Sequence, residues 1–116
     1  MRVDTLIVRG RSMIEAFSKS AYPVPVEHST VEADWRCEGF SFGIFRDPPG
    51  QEWNDFRHDS DEYVVVAEGR LWIEVGDESA TCEPGDLVRI PRGVAHSLHT
   101  LSANGSVWLY GYGYWK

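Results

Sequence analysis

His58 stands alone among carboxylates in GQEWNDFRHDSDEYVVVAEG, residues 50–69, directly ahead of a β-branched run. An imidazole in that company either belongs to a turn of solvated charge or supplies half of a metal site. On a strand, residues of equal parity share a face, so Phe56 and His58 are expected to point inward together. Glu62 has the same parity, yet on a straight strand it would lie about 13 Å from His58, at roughly 3.3 Å per residue. A shared ion therefore needs a bend between them, and Asp59, Ser60 and Asp61 are residue types that favour one. A helix would bring positions four apart together directly, but Tyr63-Val64-Val65-Val66 resists helix through its stiff χ1 angles.

The second place where chemistry could sit is GDLVRIPRGVAHSLHT, residues 85–100. His96 shares parity with the apolar Val94 and Leu98, which buries it, and a buried imidazole needs either a hydrogen-bond partner or a metal. His99 has the opposite parity and faces out; it and His28 are expected at the surface and not as ligands. Glu52, Asp55, Asp59 and Asp61 read as a solvated acidic rim.

Turns and short strands must position these residues. SMIEAFSKSA, residues 12–21, is the one expected helix, because YPVPV at 22–26 then imposes two prolines and an extended backbone. WRCEGFSFGIFR alternates as a strand with Phe40, Phe42 and Ile44 on one face, and DPPG ends it. EYVVVAEGRLWIEVGDE reads as a hairpin turning at Glu68-Gly69, with a further turn at Gly76-Asp77. The last two strands are expected to pair through Asn104-Gly105. Many short strands, regular turns and hardly any helix imply an all-β chain, a small antiparallel barrel or sandwich.

Composition limits the partners. At 116 residues the chain suffices for one domain, and 42% hydrophobic with 13% aromatic residues give it enough apolar surface for a core. A net charge of −7 disfavours nucleic acid and anionic bilayers as partners. No apolar run approaches the roughly 20 residues of a membrane span, and MRVDTLIVRGRSM carries charge through its apolar part, unlike a signal peptide; the cytoplasm is the expected location. Cys37 and Cys82 form no CxxC pair and are expected to pack as small reduced hydrophobes.

With these residues in hand, the sequence resembles the cupins, small double-stranded β-helices of the jelly-roll kind. Gly50, His58, Glu62 and Gly69 fall on the first cupin motif, in which a glycine is followed by five residues, HxH, three residues, a glutamate, six residues and a glycine. Gly85, Pro91, Gly93 and His96 fall on the second, and residues 70–84 make a 15-residue spacer like that of compact members. Phe56 replaces the first motif histidine, and Thr100 replaces a terminal asparagine that is not a ligand. The resemblance implies a jelly-roll barrel with a short N-terminal helix over residues 1–116, and a metal site reduced to His58, Glu62 and His96. Two histidines and one carboxylate suit Fe, Mn, Ni or Zn without choosing among them.

One carboxylate and two neutral imidazoles leave a divalent ion with a net charge of +1, which attracts a bidentate anionic or enolic small molecule. Phe56, expected mainly in the core with a share in the pocket wall, would line that site with Trp72, Leu98, Trp108 and Tyr110. Trp108, Tyr110, Tyr112 and Tyr114 share one strand face, and Tyr114 and Trp115 are placed to pack on a partner; the resemblance also implies a homodimer through edge strands. Two function classes stay open: a metal-dependent enzyme such as a dioxygenase or isomerase, and a ligand-binding or sensor protein with a metal-free polar pocket.

Overall fold

Short β-rich segments separated by turn residues give nine strands and one helix among residues 15–116, which the computed structural model describes. In chain order these are β1 (Phe17–Ser18), α1 (His28–Cys37), β2 (Gly43–Asp47), β3 (Glu52–Phe56), β4 (Asp61–Glu68), β5 (Leu71–Val75), β6 (Glu78–Cys82), β7 (Leu87–Ile90), β8 (His96–Thr100) and β9 (Ser106–Gly113). They form a five-stranded sheet ordered β1-β7-β4-β9-β2 and a four-stranded sheet ordered β3-β8-β5-β6, with antiparallel pairing throughout. This is the expected antiparallel jelly roll.

Two expected hairpins are not hairpins. β4 pairs with β7 and β9, and β5 with β6 and β8, so Glu68-Gly69 carries the chain from one sheet to the other. Asn104-Gly105 does the same between β8 and β9. A turn residue shows that the chain reverses; which sheet receives the next strand depends on where its apolar face finds a partner. The Gly76-Asp77 turn does join a hairpin, with Val75 opposite Glu78.

β4 shows how the inward face is chosen. Residues 61–67 are all buried, because Val64 and Val66 face the core between the sheets while Tyr63, Val65 and Ala67 face a second apolar cluster on the outside. Helix α1 covers that outer face through Val31 and Trp35, one turn apart. The helix expected at 12–21 is not found over residues 15–21, where Phe17–Ser18 pairs with β7; residues 12–14 lie outside the described part. α1 instead follows the prolines, carries a Glu32–Arg36 ion pair, and stops at Gly39, whose φ of +83° suits glycine.

The strand expected from Trp35 begins only at Gly43. Phe40 and Phe42 pack into the outer cluster, Ile44 is exposed, and Phe45, of opposite parity, turns inward. Cys82 is buried, which pushes its thiol up to about 11, whereas Cys37 is exposed at the end of α1 and does not pack as a hydrophobe.

Gly111 and Gly113 leave room on the outer face of β9. A Cβ at 111 would collide with the Ser41 carbonyl and lie 2.8 Å from the Trp35 ring. Gly111→Ala is therefore expected to destabilise the protein by about 1–3 kcal/mol through overpacking, as read by urea denaturation. Among the described residues no helix is long and apolar enough to cross a membrane.

Candidate functional site

The chain bends at Asp59 and Ser60, between the end of β3 and the start of β4, where the spacing of His58 and Glu62 demands it. Glu62 then enters β4 on the face shared with Val64 and Val66, inside the barrel. His96 opens β8 in the facing sheet, buried like Glu62, while His58 is half-buried. The Nε2 atoms of His58 and His96 stand 3.6 and 3.5 Å from the same oxygen, Glu62 Oε1.

These separations carry chemical information. Both exceed an ordinary N–H···O bond, and Oε1 is buried without a hydrogen-bond partner. Ligand atoms about 2.0–2.2 Å from a tetrahedral ion stand about 3.3–3.6 Å apart. One donor atom from each of the three residues lies within 4.8 Å of the others, so the trio fits a shared divalent ion. Burial pushes the Glu62 carboxyl up to about 8 and holds His96 below its usual value, so the imidazole is neutral and able to ligate. His96 Nδ1 lies 3.2 Å from the Val94 carbonyl. A carbonyl only accepts, so Nδ1 carries the proton and the Nε2 lone pair faces Glu62.

The two loops that bear the trio are tied together. Gly93 N donates to the His58 carbonyl at 2.9 Å, and Arg57 Nη1 to the Gly93 carbonyl at 2.8 Å. Asp61 accepts from the Arg92 backbone at 2.7 Å, from Arg92 Nη1 at 3.0 Å and from Trp115 N at 2.8 Å. Asp61 is thus a buried anchor and not part of a solvated rim, whereas Glu52, Asp55 and Asp59 are exposed. His99 faces out near Glu52, and His28 sits at the start of α1, away from the site.

Above the trio lies a cavity of about 300 Å³, lined in part by Phe56, Leu98, Trp108 and Tyr110. Trp72 is not among its walls, because Leu71, Ile73 and Val75 take the inner face of β5 and leave Trp72 on the other. Phe45, Trp53 and Tyr112 also line it and were not anticipated. Tyr112 could have been read from the Trp108-Tyr110 stripe. Trp53 could not, since simple alternation sets it opposite Phe56; a register shift between Trp53 and Phe56, with Asp55 at φ +58°, brings both to the cavity. Phe56 ends at the mouth, 40% exposed, instead of in the core.

The tail folds back along its own chain. Trp115 packs within its own chain on Phe40 and Tyr63, and Tyr114 is exposed beneath the Arg92 guanidinium.

Comparison with known proteins places this architecture. An uncharacterized protein of Streptomyces coelicolor is 34% identical over 67 residues, covering 58% of this chain and 64% of that protein. The crystal structure of TT1209 from Thermus thermophilus superposes with a TM-score of 0.59 at 25% identity, over 65% of this chain and 73% of that one. An RmlC-like cupin from Shewanella frigidimarina superposes with a TM-score of 0.58 at 18% identity, over 63% and 64%, which speaks to fold alone. The cupin-domain family matches residues 43–111, more than half of the chain and the whole span from β2 into β9. The spacing of the motif glycines and histidines therefore has its explanation in descent: the chain belongs to the cupin family.

Proposed function

We propose that this cupin binds a divalent metal ion through His58, Glu62 and His96 and receives a small organic molecule in the cavity above it. One observation carries the reading: the buried Glu62 Oε1, without a hydrogen-bond partner, faces two imidazole nitrogens at separations suited to a common ion. A metal-free polar cluster would close these gaps into hydrogen bonds. When bound, the ion would act as a Lewis acid on a ligand carbonyl or lower the pKa of a coordinated water. Glu62 supplies the anion, and His96 is held in the ligating tautomer by Val94. The Tyr112 hydroxyl is pushed up to about 12 by burial and by nearby Glu62, so it stays protonated and can donate to a ligand oxygen.

Dioxygenase or isomerase chemistry would use this arrangement. Binding without turnover is the second reading, favoured because, beyond the trio and the two tyrosines, the described lining residues Phe45, Trp53, Phe56, Leu98 and Trp108 offer no further acid or base. Elemental analysis of protein purified without chelator or affinity-tag metal tests the common premise. Near-stoichiometric metal that disappears in His58→Ala is the expected result; wild-type protein that takes up no added metal defeats the premise. Phe56→His adds a fourth protein ligand of the kind that closes metal sites. It is expected to slow zinc loss to a chelator by about tenfold, on the usual scale of ligand-environment effects.

A further inference from the structure

The cavity walls form an unbroken aromatic circuit. Ring centroids run from Phe45 to Trp53 at 5.3 Å, to Phe56 at 5.9 Å, to His58 at 6.5 Å, to Tyr112 at 5.2 Å, to Tyr110 at 5.7 Å and back to Phe45 at 6.2 Å. These six residues are half-buried or exposed, whereas Glu62, His96, Leu98 and Trp108 beneath them are buried. The site is thus a cup with an aromatic collar that includes His58 and a floor that holds Glu62 and His96.

We infer that this collar selects a planar aromatic small molecule, with no charge on its ring system, that enters with a pair of vicinal oxygens leading towards the floor. The oxygen end of this inference rests on the metal reading above; the ring end does not. Asp47 is a positioning residue here. Its buried Oδ2 accepts from Trp53 Nε1 at 3.1 Å and from Trp108 Nε1 at 2.9 Å, so both indole N–H groups are engaged and the indoles are held in place as cavity walls.

Charge narrows the guest further. Among the described residues no cationic side chain lines the cavity. Arg57 is engaged at the Gly93 carbonyl, and Arg92 at Asp61 and over Tyr114. Above the floor, a phosphate or polycarboxylate would meet no counter-charge in these walls. Size agrees: an apolar cavity of about 150 Å³ holds benzene, so one of about 300 Å³ takes one substituted or two fused rings. Aromatic walls also attract quaternary ammonium groups. A divalent ion on the floor leaves a net positive charge there, which favours the neutral ring with anionic oxygens.

Calorimetric titration of the zinc-loaded and zinc-free protein would decide, with 2,3-dihydroxynaphthalene, 2-naphthol, oxalate and tetramethylammonium as probes. Dihydroxynaphthalene is expected to bind the zinc form at least about tenfold tighter than oxalate. Phe56→Ala and Trp53→Leu should each weaken it about three- to tenfold, the value of one aromatic contact, without loss of zinc. Phe56 is exposed, so its variant tests the collar without risk to the core. Oxalate or tetramethylammonium binding as tightly as the naphthalenes, or ring variants without effect, overturns the inference. Equal binding of dihydroxynaphthalene with and without zinc, still weakened by the ring variants and matched by 2-naphthol, upholds the ring selection and overturns the metal-bound oxygen pair.

Discussion

Glu62→Gln is expected to make the metal-free protein more stable and to lower its affinity for a divalent ion at least about hundredfold, by removing the anionic ligand. The gain follows from burial without compensation. Glu62 Oε1 has no hydrogen-bond partner, and desolvation raises its carboxyl from 4.5 to about 8. Between those values the folded chain holds a proton that the unfolded chain has released, so stability falls as pH rises through this window. His96 works in the opposite sense at lower pH: its value lies below 6.5, so folding excludes a proton there and stability rises with pH up to about 6.5. The interval from 6.5 to 8 therefore separates the Glu62 effect from that of His96.

The slope expected in that interval is at most about 1.4 kcal/mol per pH unit, and the accumulated penalty at pH 7 is about 3 kcal/mol. The amide cannot ionise, so Glu62→Gln should lose the slope and gain about 1–3 kcal/mol at pH 7 in urea denaturation without metal. Zinc at a hundredfold excess over its dissociation constant should stabilise the wild type by about 2.7 kcal/mol and the variant hardly at all. A side chain whose removal stabilises the fold needs another reason to be there, and the proposed ion binding would supply it. A variant less stable than wild type at pH 8, with the pH slope unchanged, would instead make Glu62 a structural member of the core.

The site was more legible in the sequence than the sheets that hold it. His58, Glu62 and His96 could be singled out because a histidine before a β-branched run, a bend-forming Asp59-Ser60 and a histidine on an apolar face are each local signals. Sheet membership is not local. Gly69 and Gly105, both at positive φ, announce reversals whether the next strand pairs beside the last or crosses to the opposite sheet. Alternation set Phe40, Phe42 and Ile44 on one face without saying which face is inward, and it is Phe45, on the other face, that reaches the cavity. Trp72 shows the converse: it was expected as a pocket wall, while the parity of Leu71, Ile73 and Val75 assigns it outward.

Asp61→Ala is expected to destabilise the protein by about 2–4 kcal/mol, because two backbone donors lose a buried acceptor, and to weaken zinc retention about tenfold, the scale of a lost supporting interaction. Residue type alone suggested a solvated carboxylate; the structure buries it beside Glu62 and points Arg92 N, Arg92 Nη1 and Trp115 N at it. Through these bonds the strand that carries Glu62 is fixed to the Pro91–Gly93 corner that leads to His96 and to the C-terminal segment packed over Tyr63. The guanidinium adds little, since its side chain is 53% exposed and such pairs contribute under about 1 kcal/mol. Arg92→Ala should therefore cost far less than Asp61→Ala, because the backbone N–H at position 92 survives it. Equal losses in the two variants, measured by urea denaturation and by zinc competition with a chelator, would assign the anchoring to the ion pair. The expected asymmetry assigns it to backbone groups held by one buried carboxylate, which sets the spacing of Glu62 and His96 from the loops inward.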